Sequence, residues 1–148
     1  MLKHNMVKTS FKSIPENESL ARVICASFIS VLDPTIEELT DVKTAVSEAV
    51  TNSIVHGYSS KPDGIVYMDC FIEDNTLTVE IRDSGKGIED IQKAMEPMYT
   101  TREDLERSGM GFVFMEAFMD TVSVESKEGE GTKVTMTKKV GKRYGTDL

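Results

Sequence analysis

The chain has 148 residues, enough for one domain, 1–148, with a real core. It is 39% hydrophobic and 28% charged, which is ordinary for a soluble globular protein. Its net charge of −8 argues against direct nucleic-acid binding, which needs a cationic footprint.

No run approaches the roughly 20 apolar residues of a membrane span, and no apolar signal segment follows the first five residues. A cytoplasmic protein without membrane contact is expected. Cys25 and Cys70 have no metal-ligand spacing and read as reduced core thiols. The two histidines are His4 and His56, so a histidine metal cage is not expected.

Met6 to Ser13 alternates Val7, Thr9 and Phe11 with Lys8, Ser10 and Lys12, which predicts a short edge strand ended by Pro15. Glu16 to Leu32 predicts a helix with an apolar stripe of Leu20, Val23, Ile24, Phe28, Val31 and Leu32. Arg22 falls off that stripe and is expected to be exposed, as a solubilising charge sooner than as a partner contact. Thr35 and Glu38 spell a capping box that opens a helix from Thr35 to Gly57. Its apolar row is Ile36, Leu39, Val42, Val46, Val50 and Ser53/Ile54, and Gly57 is expected to stop it as a C′ glycine.

That helix organises the rest. Glu48, Asn52 and His56 recur every four residues and form a second row, on another side from the apolar one. A solvated face usually carries Lys, Glu and Arg. A row of Glu, Asn and His beside Ala45 and Ala49 suits a crowded surface, and on the helix alone both readings stand until the glycine pattern downstream is taken with it.

Ser59 to Gly64 is a loop. Ile65 to Ile72 and Leu77 to Arg82 predict a hairpin with one buried face, and its second strand runs into Asp83-Ser84-Gly85-Lys86-Gly87. Ile88 to Met95 predicts a short helix ended by Pro97. Tyr99 to Ser108 is polar and irregular, and Gly109-Met110-Gly111 opens an apolar helix through Met119. Thr121 to Glu125 and Thr132 to Lys138 predict a second hairpin turned at Lys127 to Gly131, before a patternless tail from Val140. The order predicts an α/β (α+β) two-layer sandwich, with helices on one face of a mixed, mostly antiparallel sheet.

Each glycine pattern alone reads as a turn or a helix entry. Together they suggest one site for a nucleotide. A carboxylate at a strand end can accept the amine of adenine, and glycines beside it admit a flat ring. A glycine-entered helix offers N–H groups to phosphate. An Asn amide oxygen suits Mg²⁺, which also takes phosphate oxygens and water. Neither a Walker A motif nor a Rossmann Gly-x-Gly-x-x-Gly unit is present.

The sequence resembles the GHKL ATPase family, whose Bergerat nucleotide-binding fold is shared by gyrase, Hsp90, MutL and histidine kinases. Glu48 to Asn52 matches its N box, and Asp83 to Gly87 its adenine box. Gly109 to Gly111 matches its lid glycines, and Gly129 to Thr132 its last box. Ser47 to Asn52, His56-Gly57-Tyr58 and Leu105 to Phe112 are most similar to the anti-sigma branch, serine-protein kinases of spore-forming bacteria with a short lid.

The resemblance implies ATP/ADP and Mg²⁺ as cofactors. It implies that Asp83 holds adenine N6, with Gly85 in the adenine box, Gly87 packed beside the ring and Thr132 supporting the pocket through water. Asn52 would bind Mg²⁺, and Glu48 would be the general base, or else order a metal-bound water. Gly109, Met110 and Gly111 would present N–H groups to the phosphates, with Ser108 beside them. Arg107 would reach the γ-phosphate, and Thr100 and Thr101 would bond phosphate from the lid. Arg102 reads as a solvated charge and His56 as a structural imidazole. The implied partners are a sigma factor of the sigma F type and an anti-anti-sigma factor as phosphorylation substrate, around a homodimer.

With no further domain after residue 148 and no acceptor histidine on a dimerisation helix, a kinase acting on a separate protein is the expected activity. Three alternatives stand beside it: a stress-response anti-sigma kinase, an ATP-liganded binding module without turnover, and a hydrolytic ATPase.

Overall fold

The structure, a computed structural model, describes residues 4–95 and 111–141. The elements follow in the order β1 (His4–Lys12), α1 (Glu16–Ile29), a 3-10 turn (Ser30–Leu32), α2 (Ile36–Asn52), a π-helical turn (Ser53–Gly57), β2 (Ile65–Glu73) and β3 (Thr76–Asp83). After these come α3 (Ile91–Met95), α4 (Phe112–Phe118), β4 (Thr121–Lys127) and β5 (Gly131–Lys139).

The sheet order is β1-β2-β3-β5-β4. All four neighbouring pairs are antiparallel, so the expected mixed sheet is wholly antiparallel among the described residues. Alternation does the sorting: Val66, Met68, Cys70 and Ile72 on β2 and Leu77, Val79 and Ile81 on β3 all point into the core. α1 packs on α2, and α2 packs on α4. This is the two-layer sandwich expected.

The capping box forms as its sequence requires. The Thr35 hydroxyl accepts from the Glu38 N–H at 3.0 Å, and the Glu38 carboxylate accepts from the Thr35 N–H at 2.9 Å. α2 buries Val42, Ala45, Val46, Ala49 and Val50.

Several local expectations are corrected. On α1 the buried row is Ala21, Cys25 and Ile29, one residue over from the bulky stripe. Leu20, Val23 and Val31 are 45%, 64% and 50% exposed. Small side chains at i and i+4, Ala21 and Cys25, let α1 sit close, and they weigh too little in hydropathy to outvote Leu and Val. Ile36 is 85% exposed, because the first turn of α2 stands clear of the core. Arg22 is only partly exposed and pairs its Nε with Glu18 at 3.1 Å. The short helix after Gly87 begins at Ile91 and not at Ile88.

Gly57 does not act as a left-handed C′ glycine. The positive φ values lie at Ser59 and Ser60, and the helix ends instead in the π turn, with Tyr58 N–H donating to Ser53 C=O at 2.9 Å. Cys25 and Cys70 are buried and free, and their mutual contact with burial pushes the Cys70 thiol far up. Among the described residues no helix is long and apolar enough to cross a membrane.

Candidate functional site

The π turn, the end of β3 and the start of β5 converge on one pocket. Ala49, Asn52, Ser53, His56 and Gly57 line it from the helix side. Asp83, Gly87, Ile88, Phe112, Thr132 and Val134 line the rest. Four of the residues singled out from sequence, Asn52, Asp83, Gly87 and Thr132, therefore share one wall system.

Asp83 is the buried charge of the pocket, at 8% exposure. It ends β3 opposite Thr132 on β5. Its Oδ1 accepts from Gly85 N–H at 2.9 Å. Burial pushes its carboxyl above the usual range, against the opposing pull of the Gly85 N–H, the Ser53 hydroxyl and the Thr132 backbone. A carboxylate held this way keeps an acceptor oxygen for a ligand amine.

The glycines are explained by close approach. A Cβ on Gly85 would lie 2.1 Å from the Gly57 carbonyl oxygen, so Gly85 faces the end of the helix and is not among the pocket-lining residues. Gly87, at φ 76°, presses on the Lys127 carbonyl at the end of β4. Gly129 N–H donates to Lys86 C=O at 2.6 Å, which joins the two glycine loops into one rim. Thr132 Oγ1 lies 2.8 Å from Ser126 Oγ, and Ser126 Oγ also accepts from Ile88 N–H at 2.7 Å.

Glu48 sits one turn before Asn52 on α2. Burial, and then the negative Glu18, raise its carboxyl above the ordinary value. Glu18 is itself held by Arg22 and by the hydroxyl of Ser47. Gly111 caps α4 at φ 70°, and a Cβ there would lie 2.4 Å from Glu48 Oε2. The glycine therefore lets α4 close against the carboxylate. Burial, and then the positive Lys86, lower the pKa of His56 and so favour its neutral form.

The donor set suits Mg²⁺ brought in with phosphate: one amide oxygen, from Asn52, on the pocket wall, with the remaining ligands left to phosphate and water. Thr100, Thr101, Arg102, Arg107, Ser108, Gly109 and Met110 lie outside the described residues. Sequence reasoning gave no role to Ser53, Tyr58 or Ser126. Tyr58 follows His56-Gly57 in a stretch that carries the family resemblance, and that was the signal available for it.

The model of the histidine kinase-like ATPase domain matches residues 11–138. A protein of Clostridium botulinum (strain Alaska E43 / Type E3) named anti-sigma F factor is 60% identical over 135 residues, covering 91% of this chain and 94% of its own. A protein of the same name from Thermoanaerobacter sp. (strain X514) is 56% identical over 137 residues, covering 93% and 95%. Among solved structures, the RsbU and RsbW domains of a Mycobacterium tuberculosis protein match with a TM-score of 0.66 at 15% identity, over 92% of this chain and 32% of that one. The catalytic domain of the histidine kinase ThkA matches with a TM-score of 0.56 at 15% identity, over 90% and 96%. At such identities the two structures speak for the fold. The chain belongs to the histidine kinase-like ATPase domain family, in the group of the anti-sigma F factors. Membership of an ATPase domain family implies that the chain binds ATP/ADP.

Proposed function

We propose that this chain, as a single domain, is an ATP-dependent serine-protein kinase that also holds a sigma factor of the sigma F type away from RNA polymerase. Its substrate is a serine on an anti-anti-sigma factor, the protein that otherwise displaces the sigma factor. The observation that carries the reading is a buried carboxylate, Asp83, across one pocket from Asn52, with Glu48 one helical turn before it. The relatives named anti-sigma F factor favour the sporulation type over the stress-response type.

In this reading Asp83 accepts the adenine N6 amine, Gly87 packs beside the ring, Gly85 gives the adenine loop its shape and Thr132 supports the pocket. Asn52 binds Mg²⁺, which when bound would neutralise phosphate charge. Gly109, Met110, Gly111 and Ser108 meet the phosphates, Thr100 and Thr101 bond them, and Arg107 reaches the γ-phosphoryl group. Glu48, its affinity for protons raised, takes the proton from the serine hydroxyl. The serine oxygen bonds to the γ-phosphorus, the bond to the β–γ bridging oxygen breaks, and ADP leaves. The protein works as a homodimer in the cytoplasm.

The test is incubation with γ-radiolabelled ATP and the candidate antagonist. Label on antagonist serine, lost in Glu48→Gln, is the expected result. Phosphate release indifferent to the antagonist would replace the kinase with a hydrolase. Tight ATP binding with neither transfer nor release would leave a nucleotide-liganded binding module.

A further inference from the structure

Tyr58 lies outside the pocket lining, yet its phenol joins three separate segments. Oη donates to Ile65 C=O at 2.5 Å, at the start of β2. The same oxygen accepts from Ser84 N–H at 2.7 Å, in the peptide directly after Asp83. The ring is clamped from below: a Cβ on Gly64 would fall 2.6 Å from its carbons. Gly64 is itself pinned, because its carbonyl accepts from Ser13 N–H at 2.9 Å and its N–H donates to the Ser13 hydroxyl at 3.0 Å. Ser13 is buried. The phenol oxygen is thus placed by packing before it meets the loop.

The π turn sets the direction. With Tyr58 N–H bonded to Ser53 C=O, the turn ends with Gly57 and Tyr58 both facing the adenine loop. Gly57 C=O accepts from Lys86 N–H at 3.0 Å, and Tyr58 Oη takes Ser84 N–H. Two consecutive residues of the turn therefore hold alternate amides of the loop, and Gly85 between them bonds back to Asp83 Oδ1. Ser84 is exposed, so without the phenol its N–H would face water, and the peptide would keep only its hold on the β5 side, where the Asp83 carbonyl packs against Gly131.

We infer that Tyr58 is a positioning residue for nucleotide selectivity: its hydroxyl fixes the Ser84 peptide and thereby aims the Asp83 carboxylate at the exocyclic amine of a purine. This rests on the reading of Asp83 as the acceptor for adenine N6. Tyr58→Phe keeps the ring on Gly64 and removes only the oxygen. The probes are ATP and purine riboside 5′-triphosphate, which lacks the amine, titrated by calorimetry into wild type and variant.

Wild type prefers ATP. The variant loses about three- to tenfold in ATP affinity, the size of one hydrogen bond, and loses little for the analogue, so the preference narrows. A purely structural tyrosine would weaken both ligands alike or neither, and that result overturns the inference. No preference in wild type would instead overturn the Asp83 reading and this inference with it. If the variant melts before titration, hydrogen exchange of wild type decides: a protected Ser84 amide in the nucleotide-free protein supports the bond to Tyr58, and an unprotected one removes it.

Discussion

Gly57 lies with its Cα against the Asp83 carboxylate: a methyl group there would come within 2.9 Å of Cγ and Oδ2 and 3.0 Å of Oδ1. Gly57 is not among the positive-φ residues, so alanine is refused by space and not by backbone conformation. Gly57→Ala must push the carboxylate aside. Overpacking of this kind costs about 1–3 kcal/mol of stability. ADP affinity should fall about tenfold or more, equivalent to ~1.4 kcal/mol, as measured by calorimetry. Unchanged ADP binding in a folded variant would show that the carboxylate's position does not matter to the ligand.

Asp83 is a cost to the empty protein. Burial raises its carboxyl against the opposing hydrogen bonds, so the folded chain binds that proton more tightly than the unfolded chain does. Its contribution to stability is full below the unfolded pKa of about 3.9 and is lost as pH rises through the folded value. Asp83→Asn does not titrate. The nucleotide-free variant should therefore gain on wild type as pH rises from 4 to 8, while its ADP binding collapses, because an amide can turn a donor toward the adenine amine. Urea denaturation across that pH range checks the first half. Wild type gaining on the variant as pH rises would contradict the buried-charge account.

Glu48 must be ionised to act as a base, and two causes hold its proton on: burial first, Glu18 second. Glu18→Gln removes the second. The acid limb of the kinase rate should then move to lower pH, with the plateau rate at high pH preserved. Ser47 and Arg22 both hold Glu18 in place, so Arg22→Gln, which takes away the opposing charge, should move the limb the other way. A pH–rate profile measures both, and identical limbs in all three proteins would remove Glu48 as the titrating group.

Much of this site could be read before the fold was known, and the reasons differ by residue. Thr35 and Glu38 act within one helical turn, so their spacing alone specifies the capping box. The hairpin of β2 and β3 follows from a period of two. Asp83 and Thr132 face each other across a register set by whole strands, yet each stands beside glycines that mark its loop. The failures are tertiary. Which side of α1 is buried depends on how closely that helix approaches α2, and Ala21 and Cys25 win through smallness that a hydropathy stripe undervalues. The π turn has no local signature, and Gly57 looks like any helix-ending glycine until Asp83 is brought beside it. Ser53 and Tyr58 carry roles only because β3 returns across the end of that turn.

The cap offers a stability test remote from the pocket. Thr35→Ala removes one acceptor for the N-terminal amides of α2 and should cost about 1 kcal/mol. Glu38→Ala should cost more, because Glu38 also accepts from Gly141 N–H at 3.2 Å and so ties α2 to the chain beyond β5. ADP affinity should be unchanged in both variants. Chemical denaturation gives the order, and a Thr35→Ala loss larger than that of Glu38→Ala would mean that the tie to Gly141 contributes nothing.

Gly111 lets α4 close on Glu48, and it does so at φ 70°, a conformation alanine adopts only under strain. A Cβ there would sit 2.4 Å from Glu48 Oε2 and 3.2 Å from Glu48 Cβ. The carboxylate end can swing away, but its Cβ cannot follow without moving α2. Gly111→Ala should therefore misplace Glu48, the proposed base, more than it weakens the proposed adenine pocket, whose Asp83 carboxylate is anchored separately at the end of β3. The expected signature is a fall in kcat of about 100-fold, in line with a displaced general base, with adenosine affinity within about twofold of wild type. Steady-state transfer to the antagonist gives the first quantity and calorimetry with adenosine the second. Equal losses in both would show that α4 supports the pocket as a whole and does not act on Glu48 in particular.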